Sequence, residues 1–198
     1  MAQVIPILVS FAVSTALTIA LAWIVGPSKQ SNYGDKLRLP DVQTSNYGIA
    51  ISRLIGQTRL TGNVIWQAKI REQSVTVSQS ISGGILKPSS TVSNTTYIYF
   101  ADFAVGIVGH QIVGLTRLWA DDILLYDSAS VTSPTLASLG ATLYTGTETQ
   151  TASALIEADK GVGNVPGYRG LAYMTFANFA LQKYGNRIPR MTFEIEGL

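Results

Sequence analysis

The sequence predicts a mainly β fold, barrel-like with mixed antiparallel sheets. It adds one long N-terminal hydrophobic α-helix and a short helix near residues 152–160. Three observations lead there. Short β-branched and aromatic runs recur between Gly, Pro and Asn punctuation, as in Leu171–Phe176 and Met191–Ile195. Val4 to Val25 is an apolar run of 22 residues without a charge. Residues Ala152–Lys160, ASALIEADK, place Ala154, Leu155 and Ala158 on one helical face. The implied organisation is a helix over 1–26, a polar linker over 27–48 and a β-rich domain over 49–198.

Composition narrows the function classes. The 198 residues carry a formal net charge of +2, and only 13% are charged. Soluble chains usually have about 25% charged residues, so a surface this poor in charge suggests burial against neighbours. The small positive balance argues against sequence-specific nucleic-acid binding as the main role. There is no cysteine and a single histidine, His110. A disulfide framework, a thiolate metal site and a histidine-based triad are therefore not expected, and no cofactor is implied.

At about 1.5 Å per residue, the 22-residue run would cross a hydrocarbon core about 30 Å thick. Trp23 lies where an interfacial aromatic belongs. Ala20-Leu21-Ala22 has the look of a signal-peptide cleavage site, but the start lacks a basic region. Ser10, Ser14, Thr18 and Ala22 recur every fourth residue, beside a row of Ala12, Ala16 and Ala20. Small residues at this spacing allow close helix–helix packing. Self-association follows; contact with membrane lipid and burial by protein alone both stay open.

Gly26-Pro27 ends that helix. In the linker, Ser31-Asn32-Tyr33-Gly34 recurs as Ser45-Asn46-Tyr47-Gly48, and both copies read as turns. Strands are expected over Ile49–Leu54, Val64–Ile70 and Ser74–Ile81. Gly83-Gly84 opens a turn-rich loop and is followed by neither Gly-Lys-Ser/Thr nor a helix, so it is not a phosphate cradle. Thr95–Val108 is apolar on both faces and reads as a central strand. Ile112–Trp119, the turn Asp121-Asp122 and Ile123–Tyr126 form a hairpin. The two aspartates fit turn chemistry better than metal ligation, and His110 reads as an ordinary loop side chain. Ser128 to Gly140 is a surface loop or short helix. At the C-terminal end, the two strands on either side of Tyr184–Pro189 read as a hairpin-like unit.

That last region carries a resemblance. In order stand YTGTETQ, with Tyr144, Gly146, Glu148 and Gln150; then LIE, Leu155–Glu157. Next comes VPGYRGLAYMTF, with Pro166, Tyr168, Arg169 and Gly170, and finally KYGNRIPRMTFE, with Gly185, Asn186, Arg187 and Pro189. Four separated motifs in this order resemble a segment of the tail-tip and baseplate-hub proteins of tailed phages and gene transfer agents. Tyr184 replaces the usual Phe. Residues 51–66, ISRLIGQTRLTGNVIW, are similar to the later half of another hub motif, and RLWADDILLY to a hub hairpin. The motif set holds no nucleophile, base or metal ligands at catalytic spacing.

The resemblance implies a structural, non-enzymatic subunit that closes the distal tail tube. Its copies would associate with themselves, as trimers in the relatives, and with other tail proteins. The N-terminal helices would bundle, with insertion into the host membrane during DNA delivery as a further expectation. The chain would then be found in the virion, at the distal end of the tail. The alternative is a cellular, single-pass membrane-anchored β-domain that binds a partner. A cell-wall hydrolase would need a paired-acid or histidine–metal site, which the sequence does not display.

Overall fold

The computed structural model describes residues 30–34, 51–81 and 90–198. Within them run ten strands: β1 (Gln30–Tyr33), β2 (Gln57–Thr61), β3 (Asn63–Gln67), β4 (Arg71–Ile81), β5 (Ser90–Val108), β6 (Ile112–Ala120), β7 (Ile123–Asp127), β8 (Ala141–Tyr144), β9 (Ala172–Ala180) and β10 (Met191–Gly197). One α-helix, α1 (Ala154–Lys160), and two 3-10 turns, Ala137–Leu139 and Gln182–Tyr184, complete the described elements.

The chain divides into two compact units. Of the described residues, the first holds β1, 73–81 of β4 and 90–98 of β5. β1 runs parallel to β5, with Gln30 opposite Val92 and Tyr33 opposite Thr95. Along β4 and β5, hydroxyls pair across the strands: Thr76 with Thr95 and Ser78 with Ser93, both at 2.9 Å, and Ser80 with Thr91 at 3.4 Å.

The second unit holds the remaining described residues, 51–72 and 99–198. Here β3 and β9 both pair antiparallel with β5, and β8 pairs with β9. β5 is apolar on both faces because both are covered: Ala101, Phe103, Ala104, Val105, Ile107 and Val108 are all buried. Phe103 stacks on Phe176 with ring centroids 4.8 Å apart, and Phe179 meets both rings edge-on.

The same unit contains a four-stranded antiparallel sheet in the order β2-β10-β6-β7. Its register aligns Leu60, Phe193, Leu118 and Tyr126 in one row and Arg59, Glu194, Arg117 and Asp127 in the next. Period-two alternation thus makes one face apolar and the other a cross-strand line of alternating charge. Arg117 reaches Asp127 at 3.1 Å and Glu194 at 3.2 Å, while the Arg59 guanidinium lies 3.9 Å from the Trp119 ring centroid. The Ala129 N–H and then Arg117 hold the Asp127 carboxyl below the usual carboxylate range.

The expected fold class needs correction. The fold is mainly β, but the strands form two sheets, and the expected long N-terminal hydrophobic helix is not found among the described residues. Among the described residues no helix is long and apolar enough to cross a membrane, and α1 spans seven residues. Ser10, Ala12, Ser14, Ala16, Thr18, Ala20 and Ala22 lie outside the described residues, as do Gly83-Gly84 and Ser45–Gly48.

Three local expectations also change. Ser31–Tyr33 is strand rather than turn, because its backbone finds β5 some sixty positions away and the Gly34 N–H donates to the Thr95 carbonyl at 2.8 Å. Residues 51–54 form no strand; the strand begins at Gln57. β9 and β10 are not a hairpin, since they belong to different sheets. The residues between them carry the chain from one sheet to the other.

Candidate functional site

Two of the four C-terminal motifs, YTGTETQ and VPGYRGLAYMTF, meet in the second unit at one buried side chain, Gln150. Its Oε1 accepts the Gly146 N–H at 2.8 Å. Its Nε2, with two hydrogens, donates to the carbonyls of Tyr168 at 2.9 Å and Gly167 at 3.0 Å, and the Leu171 carbonyl at 3.3 Å shares one of them. One primary amide therefore ties backbone groups of two loops together, the Tyr168 carbonyl also accepting the Leu171 N–H at 3.1 Å. Gln150 is 7% exposed, which limits the access of water as a substitute.

The glycines of these motifs are steric requirements. Gly146 has φ +82°, and a Cβ there would meet the Ala172 nitrogen at 2.9 Å. A Cβ on Gly167 would lie 2.5 Å from the Gln150 carbonyl oxygen. Tyr168 itself takes a positive φ of 48°, and the Gly170 N–H donates to Gly146 O at 3.2 Å. The Arg169 Nε lies 3.5 Å from Gln150 O, at the limit of a hydrogen bond. Pro166, Arg169 and Glu148 are exposed.

The tyrosines build the floor of this corner. Tyr144 on β8 faces Tyr173 on β9 in register, and the rings stack 4.4 Å apart, parallel within 1°. Tyr168 meets Tyr173 edge-on at 5.4 Å. The Tyr173 hydroxyl is buried without a hydrogen-bond partner among the described residues, and burial pushes its phenol well above the usual range. Beneath lies a cluster of Trp66, Ala104, Ile156, Val165 and Tyr173, which seats α1 through Ile156. The Trp66 indole N–H donates to Asp159 at 3.2 Å. Lys160 and then Trp66 hold the Asp159 carboxyl below its usual range.

The GNRIP motif makes a second clasp. Gly185 ends the 3-10 turn, and Asn186 follows at φ 58°, its N–H donating to Leu181 O at 3.0 Å. Arg187 and the Arg190 N–H both bind the Asp121 carboxylate at 2.9 Å. Asp121, in the β6–β7 turn, thus ties that turn to the run-in of β10. Pro189 is buried beside this contact, and Tyr184 stacks on Phe179 at 5.5 Å.

Sequence reasoning missed two polar centres. Asp102 sits where β9 carries an extra residue against β5: its carboxylate accepts the Asn178 N–H at 2.6 Å and Arg71 at 2.7 Å. His110 is engaged on both ring nitrogens. Both have partners far away in sequence, and no local spacing marks them. Among the described residues no group of three or more His, Cys, Asp or Glu side chains could hold a metal ion.

No protein-family model matches the chain, and no curated protein matches it. A solved structure does: a chain from the "Virion of native gene transfer agent (GTA) particle" superposes with a TM-score of 0.52 at 23% identity. The fold is one that a virion chain also has. The match covers 93% of this chain and 37% of that one, so this chain spans little more than a third of its structural relative's length. At this identity the likeness speaks for the fold.

Proposed function

We infer that the chain is a structural, non-enzymatic subunit of a phage-type virion, placed in the tail tip or baseplate hub at the distal end of the tail tube. The observation that carries this is the match of fold over 93% of the chain to a gene transfer agent virion chain. The resemblance of the C-terminal motifs to the hub family points the same way. Their side chains hold turns in place: Gln150 ties two loops, and Arg187 and Asp121 tie a third. A chain with only 13% charged residues fits a subunit that buries much of its surface against its own copies, as a trimer, and against other tail proteins.

The test is electron microscopy of purified particles labelled with an antibody to the exposed 128–132 loop, accompanied by mass spectrometry of the particles. Label confined to the distal tail end is expected. Label on the head or along the tail shaft would remove the hub assignment and leave a virion role standing. Absence from particles by both methods would sink the reading altogether.

A further inference from the structure

Residues 51–56 form a strap rather than a strand, and its attachment depends on the one histidine of the chain. Among the described residues three hydrogen bonds hold the strap. The Gly109 N–H donates to Ser52 O at 3.1 Å, and the Gly197 N–H donates to Gly56 O at 2.8 Å. Between them the Leu54 N–H donates to His110 Nε2 at 2.8 Å. Little apolar burial supports these bonds, since Ile51 is 51% and Ile55 93% exposed.

The partners determine the protonation of the ring. A backbone N–H can only donate, so Nε2 must carry a lone pair. The Gln111 carbonyl, 2.7 Å from Nδ1, can only accept, so Nδ1 must carry the proton. His110 is therefore the neutral Nδ1–H tautomer. A second proton would have to sit on Nε2, which would turn the 2.8 Å contact with Leu54 into two opposed donors.

We propose that His110 is a proton-operated latch for the 51–56 strap, closed when the imidazole is neutral and opened when it becomes an imidazolium. Charged groups on the neighbouring elements do not cancel this. Arg53 on the strap, Glu148 and Arg169 on the adjoining turns and Glu196 on β10 are all exposed. Among the described residues none of them forms an ion pair with His110. Opening frees the segment that leads directly into β2, the edge strand of the four-stranded sheet. Acidification thereby changes one sheet edge without titrating the aromatic core.

The test is amide hydrogen exchange of the full chain at pH 7.5 and pH 5.0, corrected for the intrinsic exchange rate at each pH. Protection of the Leu54 amide is expected to fall about tenfold or more at the lower pH, because one of three tethering bonds is lost. In His110→Gln, whose side-chain amide does not titrate, protection should be equal at the two values. Unchanged protection in the native chain, or the same fall in the variant, overturns the proposal. If the variant does not fold, nitrogen NMR of the native imidazole decides: an Nδ1–H tautomer at pH 7.5 supports the latch, and an Nε2–H tautomer excludes it.

Discussion

In the β4–β5 arm, Thr76, Ser78 and Ser80 pair with Thr95, Ser93 and Thr91 on a face open to water. At the β8–β9 corner, Gln150 makes its bonds where water has limited access. Both regions use neutral polar side chains, yet the consequences differ. An exposed hydroxyl that loses its partner is rehydrated, so the net contribution of the pair is small. The buried Gly146 N–H, if it loses Gln150, has no other protein partner among the described residues and bears a desolvation cost. The arm is held by many replaceable contacts, the corner by a few irreplaceable ones.

Three substitutions bracket that contrast, each read as the change in the chemical-denaturation midpoint of the full chain. The largest loss is expected from Phe103→Ala, which removes a fully buried ring from the stack with Phe176 and Phe179: about 3–5 kcal/mol. A loss under about 1 kcal/mol would show that β5 is not the core of the second unit. Gln150→Ala should cost about 3 kcal/mol, since the Gly146 N–H and the Gly167 carbonyl lose their side-chain partner together. If it behaves like a surface substitution, the corner is wet and the contrast with the arm collapses. Ser78→Ala in the arm should change stability by less than about 0.5 kcal/mol. A larger loss there would mean that the arm's hydroxyls are shielded from water, in an assembly if not in the monomer.

Some of this was legible in the chain and some was not. The central place of β5 follows from its sequence, because a strand apolar on both faces must be covered on both. The β6–β7 hairpin was legible because its pairing is local and Asp121-Asp122 supplies the turn. Helix α1 was legible but its buried face was not: Ala154 and Ala158 are exposed, and Ile156 is the residue the helix buries. The motif residues could be collected from the sequence, but their common purpose could not. Gln150 is one glutamine among several until its four backbone partners, up to 21 positions away, are brought around it. The Asp102 centre was hidden for the same reason, since Arg71 and Asn178 approach it from separations of 31 and 76 residues.

The sequence alone determined the β-rich character, the short helix, the hairpin and the poverty of charge. These depend on local periodicity, turn chemistry and composition, which act over a few residues. Only the tertiary structure decided that β9 and β10 enter different sheets, that Ser31–Tyr33 pairs with β5, and that His110 accepts a bond from the strap. Each of those rests on which distant backbone groups compete for the same partner. Hydrogen-bond pairing between remote segments leaves no period in the chain, and folding alone selects among the pairings that the pattern permits.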